Sequence, residues 1–433
     1  MQDFYSVLCY DSAEVMKMKH YDLIVAGGGL TGVSAAVRAA REGLSVLLVE
    51  KSGTLGGAIS NNLVYPFMKY ITPVDGKEKV LCAGVFEEMR KRESTYEACD
   101  AIYRFRPEYF KLVLDDMVCD AGVEVLFHAT LFAVETKGRA VKSVRLATAT
   151  GGEIKLTADY FIDATGDGTL MAEAGCAYQL GREEDGLCQP MTTCFRMCGV
   201  DVELFKSERP RLQELYKEAQ ARGEIENPRE NILTFTGIGE DVLHFNTTRV
   251  VKEDPTDPVA LSRAEILARR QIHEIVEFLK KTSKAFEHAT LVSIATEIGV
   301  RESRKLVGEY VLTAEDLLSL TMFEDAVALG NYNIDIHNPA GTGTHIHYFK
   351  EGEYYSIPYR SFLPREFDNL LVAGRCLSAT HEAQAAVRVM PICACMGEAV
   401  GVAMAVCKQT GKNTHTLDVQ LVRKKLIEGG AAL

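Results

Sequence analysis

The chain alternates short apolar runs with amphipathic stretches, and glycine follows several of the runs. The first run, Tyr21 to Ala26, stops at glycine, and the stretch after it, Val33 to Arg41, is rich in small residues and predicts a helix. Leu44 to Val49 is a second apolar run, and it ends at Glu50. Short runs that are apolar throughout are typical of parallel strands buried on both faces. The pattern therefore predicts a strand, a glycine turn, a helix and a second strand.

Two further apolar runs lie far from the first pair. Tyr160 to Gly168 (YFIDATGDG) predicts a strand that runs into a glycine turn, and Asn369 to Arg375 (NLLVAGR) predicts a buried strand that ends in Gly-Arg. A helix of small residues is predicted after it, over Met396 to Val406. Apolar strands interleaved with helices predict an α/β fold with a parallel sheet.

The middle of the chain has a different pattern. It predicts strands at Thr192 to Met197 and at Val242 to Thr247, and an amphipathic helix over residues 258–281 after a proline-rich turn. Thr313 begins a capping-box sequence, and we expect the helix after it to reach about Leu329. Mixed helices and strands without an internal repeat favour one inserted α+β domain.

These patterns divide the chain into three parts. Residues 19–175 and 365–433 together form the first domain, which contains the apolar strands, and residues 176–364 are inserted between its two parts. The first strong pattern begins just after Met18, and we interpret residues 1–17 as an extension.

The first glycine turn carries the pattern G-x-G-x-x-G at Gly27, Gly29 and Gly32. In a strand–turn–helix unit the first glycine permits the tight turn, the second admits a pyrophosphate to the backbone, and the third lets the helix pack against the strand. The helix N-terminus then faces the phosphates with its free N–H groups. Glu50, at the end of the next strand, is placed to accept hydrogen bonds from a ribose. The sequence therefore predicts a dinucleotide site.

The loop after Glu50 distinguishes between the two common dinucleotides. It contains the pair Gly56-Gly57 where a helix would follow in NAD-dependent dehydrogenases, and this suits a long cofactor that runs toward a second domain. The chain has no second G-x-G-x-x-G between two strands, so an internal NAD(P)H domain is not expected. The glycine pair favours FAD at the first motif.

The motifs GGGLTG with Glu50, IDATGDG and NLLVAGRCLSATHEAQAAVRVM resemble the FAD-dependent oxidoreductase family of the glutathione-reductase-like flavoproteins, and so do IGVRESRKLVGEYVLT and YSIPYR. The resemblance covers about Tyr21 to Val406. It implies an FAD-binding Rossmann-like domain with an inserted α+β substrate or cap domain, and it implies FAD as cofactor. It gives the chemistry only as a class.

The resemblance also assigns residues to the cofactor, position by position. The implied contacts are Gly27, Gly29 and Gly32 to the diphosphate, Glu50 to the ribose, Lys51 and the backbone of Leu131 to the adenine, Gly56 and Gly57 along the loop, Ala164, Gly166 and Asp167 to FAD from the second motif, and Gly374, Arg375 and Gly397 to the phosphates and flavin.

Composition excludes several other classes. The chain has 433 residues, 47% apolar and 25% charged, with a net charge of −12, so neither disorder nor a nucleic-acid partner is expected. No run approaches the roughly 18 uncharged apolar residues of a membrane span.

The 12 cysteines include no C-x-x-C pair, so we expect neither a metal site nor the redox thiols of a disulfide reductase. Unpaired cysteines favour a cytoplasmic protein.

Two polar segments are candidates for the chemistry. Arg301 and Arg304 lie three apart, on one face if the segment is helical, and either clamps a carboxylate or belongs to a surface helix. The segment DIHNPAGTGTHIH would place Asp335 and His337 on one strand face and His345 and His347 on another. One of these histidines is a candidate general base, and the alternatives are a metal site, which we do not expect, or an ordinary polar loop.

Two other groups follow from position. Tyr359 and Arg360 close the YSIPYR strand and are candidates for the pocket wall; alternatively, Tyr359 is a buried tyrosine whose hydroxyl satisfies a backbone group. His381 and Arg388 follow the last apolar strand and are candidates near the flavin, although Arg388 could equally pair with a glutamate.

We therefore expect hydride transfer between a C–H bond of a small polar substrate, a hydroxy acid or a sugar-like alcohol, and flavin N5. His345 or His347, and then His381, would take the proton, and an external electron donor or acceptor would complete the cycle. Reduction of an activated C=C bond, with an arginine as proton donor, is the alternative. A non-redox flavoprotein that acts on RNA is disfavoured by the negative net charge.

Overall fold

The computed structural model describes residues 19–97 and 102–433, so the extension that we place at residues 1–17 lies outside the described residues. The helices are α1 Leu30–Arg41, α2 Val85–Tyr96, α3 Pro107–Asp120, α4 Thr169–Ala174, α5 Val202–Ala221, α6 Pro258–Thr282, α7 Ala314–Leu318, α8 His381–Val387, α9 Met390–Thr410 and α10 Val419–Glu428. The strands are β1 His20–Ala26, β2 Val46–Val49, β3 Ile71–Val74, β4 Lys77–Val80, β5 Glu124–Leu126, β6 Ala129–Lys137, β7 Ala140–Thr148, β8 Glu153–Asp163, β9 Tyr178–Leu180, β10 Phe195–Cys198, β11 Thr234–Phe235, β12 Leu243–Phe245, β13 Thr290–Ile294, β14 Arg304–Leu306, β15 Ala326–Gly330, β16 Ile334–His337, β17 Thr344–His347, β18 Tyr355–Pro358 and β19 Leu370–Val372.

The four apolar runs form one sheet. Its parallel part has the order β5-β2-β1-β8, and β19 pairs with β8 in parallel as well. The long strand β8 also carries β7 antiparallel along its first half, and β6 follows β7 at the edge. This confirms the predicted mixed α/β fold with a parallel sheet, which is consistent with an FAD-binding Rossmann-like domain.

The register aligns the carboxyl ends of the strands. Ala26 lies opposite both Val49 and Asp163, and Val372 lies opposite Asp163 from the other side. The residues that follow β1, β2, β8 and β19 therefore meet at one edge of the sheet. In open α/β sheets, ligands bind at this edge.

Helix α9 packs directly on α1. A Cβ added at Gly397 would lie 2.0 Å from the carbonyl oxygen of Thr31, and one at Gly401 would lie 2.4 Å from that of Ala35, so only glycine permits this approach. The helix begins six residues before the predicted start, because Pro391 in its first turn favours a helix start. It is long and apolar enough to cross a membrane, but 94% of its most apolar window is buried inside the protein, as in a core helix.

A second, antiparallel sheet lies in the inserted segment, with the order β11-β12-β10-β13. The rings of Phe195 and Phe245 stack on it with centroids 4.4 Å apart, and α5 and α6 contribute apolar side chains to the same core. Asp257 caps α6 by accepting hydrogen bonds from the N–H groups of Val259 and Ala260. The two strands and the helix predicted here are confirmed in kind. The domain boundaries at 175 and 364 stay a prediction.

One predicted helix is shorter than expected, and one segment whose conformation the sequence left open is not helical. The capping box of Thr313 and Asp316 forms, but α7 ends at Leu318 instead of about Leu329, because residues 326–330 form the buried strand β15, which pairs with β18. The segment from Arg301 to Arg304 is not helical, since Arg304 begins β14, opposite Leu180. Tertiary strand pairing overrides the local pattern in both segments.

Candidate active site

The first glycine turn forms an open cradle at the carboxyl edge of the sheet. Gly27 has φ +101°, and a Cβ at this position would lie 2.4 Å from the carbonyl oxygen of Ala164. A Cβ at Gly32 would lie 1.8 Å from the carbonyl oxygen of Gly27. At Gly29, the N-cap of α1, a Cβ would meet nothing within 4 Å, and no side chain caps the helix. The first and third glycines close the turn, and the second leaves the helix N-terminus open to an anion.

Glu50 holds the loop that faces this cradle. Its buried carboxylate accepts hydrogen bonds from the N–H of Gly28 at 2.6 Å and from the N–H of Ser52 at 2.8 Å. The N–H of Gly56 donates to the carbonyl oxygen of Gly28 at 2.8 Å, and a Cβ at Gly57 would lie 3.2 Å from the Cα of Gly29. The predicted glycine pair therefore lies against the first motif as a turn and not as a helix.

The adenine side of the predicted site differs in detail from the expectation. Lys51 is exposed, and its ammonium pairs with Glu297 at 2.9 Å. Leu131 lies within β6, opposite Leu146. The backbone that contacts the loop after β2 is two residues earlier, where the N–H of Ala129 donates to the carbonyl oxygen of Glu50 at 3.1 Å.

The second and third motifs meet through an ion pair. Arg375 donates to Asp167 at 2.8 Å, and the hydroxyl of Ser303 donates to the same carboxylate oxygen at 2.8 Å. Burial would raise the pKa of Asp167, but the charge of Arg375 and these hydrogen bonds hold the pKa below its ordinary value of 3.8. A Cβ at Gly166 would lie 2.9 Å from the guanidinium of Arg375, and a Cβ at Gly374 would lie 2.6 Å from Thr31 Oγ1.

Beside this ion pair, four arginines from distant segments surround one histidine. We call Arg229, Arg249, Arg301 and Arg388 the arginine group, and His337 in β16 lies within their combined field. Arg229 and Arg249 are buried, and Arg301 and Arg388 are partly exposed.

Arg249 is held from several sides. It donates to the carbonyl oxygen of Gly343 at 2.9 Å and to Thr344 Oγ1 at 3.1 Å, and it lies 3.4 Å from the carboxylate of Glu230. Burial, and then the charge of Arg229, lowers its pKa to about 10.

Among the residues that the structure describes, the hydrogen-bond acceptors of Arg301 are all neutral. It donates to Thr192 Oγ1 at 2.6 Å and to Asn246 Oδ1 at 3.3 Å, and also to the carbonyl oxygen of Pro190. Burial first, and then the charges of the other three arginines, lower the pKa of Arg301 to about 9. The site therefore holds positive charge that this part of the chain does not neutralise.

His337 is oriented by an arginine and a carboxylate. Its Nδ1 accepts a hydrogen bond from Arg249 at 3.2 Å, which assigns the ring proton to Nε2, 3.6 Å from the carboxylate of Asp335. The hydroxyl of Tyr332 donates to the same carboxylate at 2.8 Å. Burial, and then the four arginine charges, lower the pKa of His337 well below its ordinary value of 6.5, so the ring is neutral at neutral pH.

Two buried glutamines connect this group to the edge of the sheet. Gln384 donates to the carbonyl oxygen of Arg301 at 3.0 Å and to that of Arg375 at 3.3 Å. Gln189 donates to Gln384 at 3.4 Å, and its side-chain oxygen accepts from the N–H of His337 at 3.4 Å. These hydrogen bonds hold the arginine group next to Arg375, which lies at one end of the glycine-lined edge of the sheet.

A comparison of the sequence with protein families identifies the cofactor. The family described as "FAD dependent oxidoreductase" matches residues 22–426. The chain belongs to the FAD-dependent oxidoreductase family. It is therefore a flavoprotein enzyme with FAD as its cofactor.

The similar proteins add little about the substrate of this FAD-dependent oxidoreductase. A dihydrolipoamide dehydrogenase of Chaetomium thermophilum is 50% identical over 40 residues, 9% of this chain and 8% of that one. The mitochondrial dihydrolipoyl dehydrogenase of Schizosaccharomyces pombe is 50% identical over 50 residues, 12% of this chain and 10% of that one. The matches thus span about a tenth of either relative.

Solved structures of similar fold are distant. The p-nitrophenol 4-monooxygenase PnpA from Pseudomonas putida DLL-E4 has a TM-score of 0.47 and 10% identity, over 95% of this chain and 85% of that one. The anhydrotetracycline hydroxylase OxyS from Streptomyces rimosus has a TM-score of 0.46 and 11% identity, over 95% of this chain and 66% of that one. We draw nothing about activity from them.

The residues at the sheet edge fit FAD. The space over Gly29 and the uncapped start of α1 suit a diphosphate, and the turn is fixed around that space by Glu50. Gly397 is predicted to contact the phosphates and flavin. In the structure, its lack of a side chain allows α9 to pack closely on α1.

The other predicted residues of this flavoprotein lie apart from the arginine group. His345 and His347 are exposed and lie opposite Ile336 and Ile334, on the face of the β16–β17 hairpin that points away from His337. The separation of the two pairs of polar residues onto two faces agrees with the predicted alternation. Among the described residues, no group of three or more candidate metal ligands comes together.

Arg304 and His381 contact groups outside the arginine group. Arg304 donates to the carbonyl oxygen of Asp167 at 3.2 Å. The Nδ1 of His381 lies 2.7 Å from Glu302, a fully buried carboxylate that also pairs with Lys305.

Tyr359 and Arg360 have partners elsewhere in the fold. The hydroxyl of the buried Tyr359 donates to the carbonyl oxygen of Thr414 at 2.9 Å, as the alternative interpretation held. Arg360 is half exposed and pairs with Asp325 at 2.9 Å.

The sequence analysis missed Arg229, Arg249, Gln189 and Gln384, and it ranked His337 and Arg388 low. Arg229, Arg249 and Gln189 each lie in a stretch with no marked spacing, and Gln384 and Arg388 lie four apart in one helical turn that no motif distinguishes. The signal is their convergence in the fold, which no short motif can show.

Proposed function

We propose that this FAD-dependent oxidoreductase transfers a hydride between a C–H bond of a small polar substrate and N5 of FAD, and that it is of the glutathione-reductase-like type. The hydroxy acid is the better of the two predicted substrates. The observation that carries this choice is the arginine group, which Gln384 connects to the cofactor motif at Arg375. FAD supplies the hydride acceptor or donor when it is bound.

The arginine group would bind and orient the acid. Guanidinium groups present paired N–H donors that match a carboxylate, and no carboxylate oxygen of the described residues lies within 4.0 Å of Arg301 or Arg388. A carboxylate bound there would hold the adjacent carbon at a fixed distance from the edge of the sheet. Position and orientation are a major part of rate acceleration.

His337 would take the hydroxyl proton of a hydroxy acid. The neutral ring has its lone pair on Nδ1, which accepts the hydrogen bond of Arg249, so Nδ1 is the atom that would take the proton, and Asp335, which Tyr332 holds, lies beside Nε2. A bound carboxylate offsets part of the arginine charge that lowers the pKa of His337, so substrate binding raises this pKa and makes the ring a better base. The proton goes to the ring, the C–H bond breaks with its electron pair as hydride, and a C=O bond forms. The roles predicted for His345, His347 and His381 rank below this one.

An external electron donor or acceptor would complete the cycle, as the sequence predicts. The second candidate function is the reduction of an activated C=C bond. A pKa of about 9 makes Arg301 a better proton donor than an ordinary arginine, and this favours that candidate.

The test uses the purified full chain loaded with FAD, under anaerobic conditions. Hydroxy acids that bleach the yellow flavin absorbance near about 450 nm support oxidation. Enoates that restore the absorbance of the reduced enzyme support the second candidate. If neither class changes the absorbance while a sugar-like alcohol bleaches it, the arginine group does not select the substrate.

The variant His337→Gln separates the proposed base from the predicted ones. It is expected to lower the rate of bleaching by roughly 100-fold or more, whereas His345→Gln and His347→Gln leave that rate within a factor of two. If His345→Gln or His347→Gln greatly lowers the rate of bleaching and His337→Gln does not, the base is the exposed histidine, as the sequence predicts.

A further inference from the structure

We propose that the arginine group is a binding site for a small dicarboxylate, a substrate with two negative charges. The proposal rests on the proposed function, because it names the substrate class of the same site. It goes further in fixing the number of charged groups on the substrate.

The first observation is the balance of charge. Among the described residues, the carboxylates within 4.0 Å of the four guanidinium groups or of His337 are Glu230 and Asp335, which leaves two positive charges in excess. His337 adds no charge, since its ring is neutral. Enclosed charges without partners are costly, and a dianion would offset the excess.

The second observation is the set of hydrogen bonds. Among the residues that the structure describes, no carboxylate oxygen lies within 4.0 Å of Arg229, Arg301 or Arg388. Arg229 donates from Nε to Asn231 at 3.2 Å, and Arg301 has only neutral acceptors. The Nε of Arg388 is buried and has no hydrogen-bond partner among the described residues, and its Nη2 reaches Gln189 only at 3.4 Å.

The third observation distinguishes two carboxylates from one phosphate. The donors of the site are guanidinium side chains from four separate segments. Phosphate sites commonly add several backbone N–H groups at a helix start. Helix α9 begins at Met390, two residues after Arg388, but its second residue is Pro391, which has no N–H to donate. Arginines from separate segments suit a ligand with two separate charged groups. A carbon skeleton between the two charges also provides the C–H bond that the proposed function requires.

The test is calorimetric titration of the FAD-loaded full chain at pH 7.5 with unreactive acids of matched length. Malonate, succinate and glutarate are the dicarboxylates, and propionate, butyrate and valerate are the monocarboxylates. We expect the best dicarboxylate to bind at least about 30-fold more tightly than the best monocarboxylate. Equal affinities overturn the proposal, and so does inorganic phosphate that binds more tightly than every dicarboxylate.

Variants assign the binding to these residues. Arg301→Gln and Arg388→Gln are each expected to raise the Kd of the best dicarboxylate at least about 30-fold. Arg263→Gln is the matched control, because Arg263 lies exposed on α6 and pairs with Glu253 at 2.8 Å. This variant should leave the Kd unchanged. Arg301→Lys retains the charge and replaces Arg301→Gln if thermal unfolding shows that the neutral variant is not folded. A site variant that binds like the control overturns the proposal.

The outcome separates this inference from the proposed function. If a dicarboxylate binds through Arg301 and Arg388, but no hydroxy or unsaturated dicarboxylate exchanges electrons with the flavin, the binding site stands and the proposed function fails. If a hydroxy acid with one carboxylate bleaches the flavin and no dicarboxylate binds, the proposed function stands and this inference fails.

Discussion

Replacing Gly29 with alanine would distinguish the effect of this position on FAD binding from its effect on the stability of the fold. The N-cap backbone of Gly29 has φ −67° and ψ 177°, which alanine adopts without strain, and a Cβ there would meet nothing within 4 Å. In the protein without FAD, Gly29→Ala should therefore cost no more than about 1 kcal/mol, the usual loss when alanine replaces a better N-cap residue. With FAD, the methyl group would occupy the space that the diphosphate needs.

The magnitude follows from the cost of overpacking. Inserting a methyl group into a filled contact costs about 1–3 kcal/mol, so the Kd for FAD should rise roughly 5- to 150-fold. Gly32→Ala is the comparison, because its Cβ would lie 1.8 Å from the carbonyl oxygen of Gly27, a backbone atom that cannot move aside cheaply. Alanine gains about 1 kcal/mol of helix propensity there, but the clash exceeds this gain, so Gly32→Ala should destabilise the protein even without FAD.

The assay has two parts. Urea unfolding of the FAD-free protein gives the free energy of unfolding, and calorimetric titration with FAD gives the Kd. Gly29→Ala should change mainly the Kd, and Gly32→Ala should change both quantities. The reasoning is refuted if Gly29→Ala binds FAD within twofold of the wild type, or if its free energy of unfolding falls as far as that of Gly32→Ala.

Three further predictions concern buried polar groups. Tyr359→Phe removes the hydrogen bond to Thr414 and should cost about 1 kcal/mol in urea unfolding without changing the rate of flavin bleaching; a large loss of rate would return Tyr359 to the substrate site. Burial raises the pKa of Glu398 from its ordinary 4.5 to about 7, so the folded protein takes up a proton, and stability should fall by up to roughly 3 kcal/mol as the pH rises from 4.5 through 7. Glu398→Gln should lose this dependence, and urea unfolding at pH 5 and pH 8 checks it, since an unchanged slope would assign the dependence to other groups. Lys305→Met leaves the buried Glu302 without its ammonium partner and should cost about 3–5 kcal/mol; a change below 1 kcal/mol in thermal unfolding would show that His381 and the N–H of Gln189 are sufficient partners for the carboxylate.

The cofactor half of the molecule could be predicted from the sequence because its determinants are local. The glycines of the first turn, Glu50 at the end of the next strand and the apolar runs around them lie within thirty residues, and each has a requirement of its own. Gly27 needs a positive φ, and Gly32 needs the absence of a side chain. Such requirements are visible in any single sequence.

Local patterns were less reliable where tertiary pairing decides. The capping box at Thr313 was correct, but the helix length was not, because the apolar segment after it pairs as β15 with a strand that lies about 30 residues further along the chain. His345 and His347 form a conspicuous pair in the sequence, yet the register of the hairpin points them away from His337. A period-two pattern separates the two faces of a strand but does not say which face is buried.

The sequence by itself determined the parallel sheet, the glycine turn at its edge and the family of the cofactor. Only the tertiary structure decided which charged residues form the candidate substrate site. Arg229, Arg249, Arg301 and Arg388 come from loops up to 159 positions apart; the sequence made Arg301 and Arg388 candidates, but Arg229 and Arg249 do not differ in their own stretches from surface arginines. What distinguishes them is their shared enclosure and the excess of positive charge around His337, and both are properties of the folded chain.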